Sequence, residues 1–204
     1  MKIRRIQDTL IRAFALLIIF AMLLLGSLAY YYLHKILIQN AEETTMQLVS
    51  QLNRVIENYI SYMDDIALMA ANNEDVRRFI ASPGADSPAL RATIEKSFES
   101  IRTVRRDIDS VFVITRDGRA IAATRGGGLN PTVDLKKRFA ELEAGVVPDR
   151  PSVSSAHVEN LVDYRYPWVI SLVRVLRPDA SGISSGLIQV DLNYEIIARL
   201  CMDI

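Results

Sequence analysis

Residues 168–192 read "WVISLVRVLRPDASGISSGLIQVDL". Two runs rich in Val, Ile and Leu, Trp168 to Leu176 and Gly186 to Leu192, flank a stretch of Pro, Asp, Ser and Gly, the composition of two antiparallel strands joined by a loop. With the turn centred near Ser181, Asp191 lies across from Ser171 and Arg174 falls on the opposite face. Side chains alternate along a strand, so a slip of one residue would exchange the faces. Arg174 interrupts an otherwise apolar run, and a guanidinium held in a sheet face needs an anionic partner or costs several kcal/mol. Two partners qualify: the carboxylate of a bound ligand, which arginine meets bidentately, or an internal acid such as Asp191. An internal ion pair or a solvated strand edge is the preferred reading.

Upstream, "IDSVFVIT" at 108–115 has a strand's residue preferences, Asp117-Gly118 is a tight hairpin turn, and "RAIAAT" at 119–124 returns. The triple glycine Gly126 to Gly128 opens a loop, and a short helix follows, capped by Asp134 and closed by Gly145. Before the hairpin, "SPGADSP" at 82–88 breaks one helix. Ser87 as N-cap and Pro88 at the first helical position start another, with Leu90, Ile94, Phe98, Ile101 and Val104 on one face. The class is α+β, a mostly antiparallel sheet of about four or five strands with flanking helices.

From Ala41 to Ala81 there is no Gly or Pro, and apolar residues recur on two interlocked heptad series. Leu48, Val55, Tyr62 and Met69 form one and Leu52, Tyr59 and Ile66 the other, the seam of a helix packed lengthwise on a partner. A second stripe, Ile56, Ile60, Met63, Ala67 and Ala70, lies beside it and makes the apolar face wider than a two-stranded coiled coil requires. Two readings stand level. Leu48, Leu52, Val55, Tyr59, Tyr62 and Ile66 form a homodimer seam, or both stripes cover the domain's own core.

Ala13 to Leu33, "AFALLIIFAMLLLGSLAYYYL", is 21 residues without a formal charge. At 1.5 Å per residue it spans a bilayer core of about 30 Å, so it reads as a transmembrane helix. Lys2, Arg4, Arg5 and Arg12 precede it, which keeps the amino end cytoplasmic, and Tyr30, Tyr31 and Tyr32 mark the far interface. A cleaved signal peptide is the competing reading, with Ser27 and Ala29 at the cleavage site, although such apolar regions run only about 7–15 residues. Residues 1–35 carry five basic and one acidic side chain, and the remainder 19 basic and 23 acidic. That mildly acidic outer part argues against a nucleic-acid partner. Cys201 is the only cysteine, so no intramolecular disulfide forms.

Several stretches together resemble a Cache-type extracytoplasmic sensor, the PAS-like input region of bacterial transmembrane receptors, and most closely that of YesM-type sensor histidine kinases. They are "NAEETTMQLVSQLNRVIENYISYMDDIALMAANNEDVRRFI" after a basic-flanked span, "IDSVFVITRDGR" as central hairpin, and "VISLVRVL" with "GLIQVDLNYEIIARL" as closing strands and exit helix. The resemblance implies a domain that binds a small extracellular molecule on one face of its sheet and passes a shift along the long helix into the membrane. It divides the chain into a cytoplasmic N-terminus (1–12), a span (13–33), a long outer helix (34–81), a sensor lobe (82–192) and an exit helix (193–204). Such kinases continue into a second lobe, a second span and a catalytic core with a phosphorylated histidine and Gly-rich loops. None of these occurs in the sequence, so the stop at Ile204 reads as a truncation and the chain as it stands is no enzyme.

Catalytic residues are sparse. Of two histidines, His34 sits at the membrane edge and His157 reads as a solvated loop residue without a nucleophile-elbow pattern near it. No Cys or His pair has metal-ligand spacing, "DIDS" at 107–110 lacks the other ligands of a calcium loop, and the triple glycine lacks the Lys-Ser/Thr of a phosphate loop. Neither a cofactor nor a metal is expected. Arg102, Arg105 and Arg106 read as a solvated helix end. The ligand-binding candidates are Arg116, Tyr164, Tyr166, Trp168, Arg174 and Asp191, aromatic walls with a few polar groups. The expected role is the input segment of a two-component receptor in the plasma membrane. A chemotaxis receptor, a membrane-bound transcription regulator and a non-sensing membrane-tethered adaptor are the alternatives.

Overall fold

The computed structural model describes residues 2–81, 86–147, 150–163, 167–176 and 186–202. Along the chain run α1 (Lys2–Asn72), α2 (Glu74–Ala81), α3 (Pro88–Val104), β1 (Ile108–Thr115), β2 (Ala120–Thr124) and α4 (Leu135–Ala144). Then come β3 (Ser152–Val153), β4 (His157–Val158), β5 (Trp168–Leu176), β6 (Gly186–Asn193) and α5 (Tyr194–Met202). The chain forms two compact units, Met1–Leu52 and Asn53–Ile204.

In the first unit every large apolar side chain from Phe14 to Leu33 is exposed. Among the described residues this is the one helix long and apolar enough to cross a membrane. A helix satisfies its backbone polar groups internally, and hydrocarbon requires that of any spanning segment.

The second unit is built on a six-stranded sheet in the order β2-β1-β6-β5-β3, with β4 also on β5. All of its strand pairs are antiparallel. The α+β class read from the sequence is the class observed. Local chemistry sets the element ends. The Ser87 hydroxyl accepts the Leu90 N–H at 3.2 Å and Pro88 follows it, starting α3. Asp134 accepts the N–H groups of Lys136 and Lys137 and starts α4, which Gly145 closes. The turn between β1 and β2 needs positive φ, and Gly118 supplies it at 88°.

The unbroken 34–81 helix is a point of difference. Asn73 separates α1 from α2 because its side chain accepts the N–H groups of Asp75 and Val76, at 2.9 and 3.3 Å, and so caps a new helix. The turn lets α2 fold onto the sheet, where Val76, Phe79 and Ile80 are buried. Ile80 meets the start of β6 so closely that a Cβ on Gly186 would lie 2.9 Å from its Cγ1.

Helices α1, α2 and α3 cover one face of the sheet. Met63, Ile66, Ala67 and Ala70 of α1, Phe79 of α2 and Ile94 and Phe98 of α3 pack there against Val111, Val113, Ile121, Leu172, Ile188 and Val190. Burying the Val, Leu, Ile, Phe and Met side chains among these contributes roughly 1.5–3 kcal/mol each before entropy is charged. The sequence left two uses for the heptad stripe open. Ile66 is 2% exposed within this core, and Tyr59 and Tyr62 pack against it, so that end of the stripe covers the chain's own domain and Ile66 is not free for a second copy. The opposite face carries a smaller cluster, in which Phe112, Ile114, Val173 and Leu187 meet Phe139 of α4 and Leu161 and Val162.

Candidate functional site

The register of β5 against β6 sets Ser171 opposite Asp191. On the other flank of β6, an irregularity between Ile108 and Ser110 in β1 brings Ser110 opposite Asp191 as well, while Ile108 faces Leu192. The bulge re-aims one side chain across the ladder. As a result Asp191, on the central strand of the sheet, is flanked by a hydroxyl on each side. Ser110 Oγ donates to Oδ2 at 2.6 Å and Ser171 Oγ to Oδ1 at 2.5 Å. Gln189, two residues away and hence on the same face, donates through Nε2 to Asp191 Oδ1 at 2.9 Å and to Glu159 Oε2 at 2.6 Å.

Glu159 enters from the segment after β4 and is fully buried. Its Oε1 accepts the N–H groups of Asn160 and Leu161 at 2.8 and 2.9 Å, and Arg138 of α4 donates to Oε2 at 3.3 Å. His157 Nε2 lies 3.7 Å from Glu159 Oε2 and 3.4 Å from Ser171 Oγ. Its Nδ1 lies 3.2 Å from Ser154 Oγ, whose oxygen also accepts the Ser171 N–H. The face of the sheet opposite α1, α2 and α3 therefore holds a buried polar network whose central acid has no cation beside it among the described residues. Burial, and then the charge of Glu159, push the Asp191 carboxyl up to about 7 against the hydrogen bonds from Ser110, Ser171 and Gln189. Gln189 Oε1 and Arg138 Nε are buried there without a protein partner. The arrangement offers donors and acceptors to a small polar molecule, or a site for a proton. Among the described residues no group of His, Cys, Asp and Glu is arranged to hold a metal.

The sequence-predicted site residues do not converge. Of the four that are described, Asp191 alone lies in this network. Arg174 faces the helices and donates to Asp64 of α1 from Nε at 2.9 Å and Nη2 at 2.5 Å, so the anion it finds is Asp64 rather than Asp191. Arg116, past the end of β1, donates to Glu143 of α4 at 2.7 Å. Trp168 stands on the Arg174 side of β5, half exposed, its ring 6.3 Å from that of Tyr194. Tyr164 and Tyr166 lie outside the described residues. His157, read from sequence as a solvated loop residue, instead sits on β4 within the network.

Two grooves open elsewhere among the described residues. One of about 670 Å³ runs between the end of α1 and α3, past Met69, Asn73, Ser97 and Ile101. The other, of about 400 Å³, lies between α3 and β2, past Glu95, Lys96, Ala122 and Thr124. Neither includes a residue of the polar network.

No protein-family model matches the chain, and no curated protein matches it. Solved structures do. A sensory box/GGDEF family protein domain from Vibrio parahaemolyticus superposes with a TM-score of 0.60 at 11% identity, over 79% of this chain and 63% of that one. The extracellular domain of a proposed histidine kinase, vpHK1S-Z8, gives 0.58 at 11% identity over 79% and 60%. The ligand-binding domain of the Campylobacter jejuni chemoreceptor Tlp3, in complex with L-norvaline, gives 0.57 at 13% identity over 76% and 59%. The chain thus has the fold of extracellular sensor domains, and spans about three fifths of the length of the solved chains it matches.

Proposed function

We propose that this chain is the ligand-sensing input segment of a membrane-bound sensor histidine kinase of the YesM type. Its N-terminus lies in the cytoplasm, α1 crosses the plasma membrane, and residues beyond Lys35 stand outside the cytoplasm. The basic residues before the span support that orientation. The segment acts by binding and carries out no catalysis. Ligand binding favours one packing of the sheet against its helices, and that preference is the signal.

The observation that carries the reading is the buried polar network around Asp191, on one face of a sheet with the fold of extracellular sensors. A stable core has no need of so many polar groups in one place, whereas a recognition site does. Since the Tlp3 domain was solved with L-norvaline, amino acids head the compounds to test. The full chain in detergent micelles is heated with amino acids, organic acids and sugars in turn. A native-state ligand raises the melting temperature, and the rise must disappear in Ser171→Ala. A screen in which no compound shifts the transition would instead favour a membrane-tethered adaptor.

A chemoreceptor input is the second reading, supported by the Tlp3 likeness. The reading frame beyond the codon for Ile204 discriminates the two, through a kinase core or a chemoreceptor signalling domain encoded there.

A further inference from the structure

Two carboxylates, Asp191 on β6 and Glu159 on the segment after β4, are fully buried and share the amide of Gln189, which reaches both through Nε2 at 2.9 and 2.6 Å. Among the described residues, the charged and titratable groups facing them from the surrounding elements are Arg138 of α4, 3.3 Å from Glu159 Oε2, and His157 of β4, 3.7 Å from the same oxygen. β1, β5 and β6 contribute the neutral Ser110, Ser171 and Gln189. One guanidinium thus serves two acids and stands beside Glu159 alone. A second negative charge on Asp191 would have no cation next to it among the described residues, and like charges at this range strongly disfavour double ionisation.

The network also has a way out to solvent. His157 is partly exposed and touches Ser171 Oγ at 3.4 Å, and Ser171 donates to Asp191 at 2.5 Å. A proton on the buried acid can therefore exchange through a hydroxyl and an imidazole without opening the sheet.

Glu159 also organises its own segment. Oε1 holds the Asn160 and Leu161 N–H groups, while Oε2 ties that turn to β6 through Gln189. We propose that Asp191, Gln189 and Glu159 form a proton-operated latch: with a proton on the acid pair, residues 157–161 are held down on the sheet, and its loss to solvent loosens them. In the protonated state Gln189 bridges a neutral acid and an anion. After deprotonation it bridges two anions, and their repulsion acts first on the 157–161 segment, which pairs with the sheet on β5 only, whereas β6 lies between β1 and β5. This goes beyond the sensing proposal by making protons an input of their own, and it requires no other ligand.

Hydrogen exchange tests the latch in the full chain, reconstituted in lipid nanodiscs with no compound added. Protection of the 157–163 segment, corrected for the intrinsic pH dependence of exchange and compared with the β1–β6 ladder, should fall about tenfold from pH 6 to pH 8. In Asp191→Asn and in Glu159→Gln, each with one charge fewer, it should stay level. Ser110→Ala removes one donor to the carboxylate and leaves the pair in place, so the midpoint should move to higher pH. A level wild-type profile overturns the latch, as does an unchanged pH response in both charge-removing variants or an unmoved midpoint in Ser110→Ala. Because no ligand is present, such a result leaves the thermal-shift test of sensing untouched.

Discussion

The two faces of the sheet solve different problems. On the helix side, Arg174 is the charge that enters the sheet, and it meets one acid, Asp64, in a two-point contact. The core on the same side is apolar, with Phe79, Phe98, Ile94, Ile188 and Val190 closed to solvent. On the distal face, among the described residues, two acids and one arginine share a network of hydroxyls and an amide, and Asp191 has no cation beside it. Pairing a charge removes its response to the surroundings, whereas leaving an acid buried among neutral donors preserves that response. The helix side is arranged for stability and the distal side for a change of state.

The sharpest way to break this contrast is to empty the helix side. Phe98→Ala should cost about 3–5 kcal/mol of unfolding free energy, from lost burial and the cavity left behind. Denaturant titration of the full chain in detergent, followed by emission of Trp168, the only tryptophan, reads it directly. A loss below about 1 kcal/mol would mean that this face is not where the stability resides.

The distal face should show its character through pH. The Asp191 carboxyl is raised in the fold to about 7 from an ordinary value of 3.8. A raised acid binds more protons folded than unfolded, so its contribution is fully present below the unfolded value and is lost as pH rises through the folded one. The wild type should be less stable at pH 8 than at pH 5 by on the order of 3 kcal/mol, a difference that Asp191→Asn should largely remove. Equal midpoints at the two pH values in the wild type would make the two faces alike.

Asp64→Asn leaves Arg174 without its anion and should cost about 1.5–3 kcal/mol at any pH from 5 to 8. Replacing both partners, Asp64→Leu with Arg174→Met, should recover most of that loss, because the penalty comes from the orphaned charge. No recovery would show that the pair has further partners on this side. The smallest expected effect is at the α3 cap, where Ser87→Ala removes the acceptor for the Leu90 N–H and should cost about 1 kcal/mol by the same titration.

Much of the fold was legible because its signals are local. The caps Ser87 and Asp134, the turn at Gly118 and the strands Ile108–Thr115 and Trp168–Leu176 all follow from residues within a few positions of one another. The β5–β6 register followed too, since alternation and a central loop fix which residues share a face. β3 and β4 were missed, because two-residue strands carry no periodicity. Asn73 lies in a stretch without Gly or Pro that favours continuous helix, and its capping role becomes visible only where α2 turns back. The candidate site was legible in part. Gln189 and Asp191 break an apolar strand at a spacing of two, which places them on one face with Ser171. Nothing near Asp191 in sequence points to Glu159 or Arg138.

The sequence by itself determined the uncharged apolar helix through residues 13–33, the caps Ser87 and Asp134, the longer strands and the face on which Asp191 lies, because each depends on near neighbours or on a period of two or three and a half. The tertiary structure alone decided that Arg174 finds Asp64, 110 residues away, and that Asp191 finds Glu159. It also decided that a bulge in β1 turns Ser110 toward the same carboxylate. Partners of buried charges are chosen by what the fold brings within about 3 Å, and that distance has no counterpart along the chain.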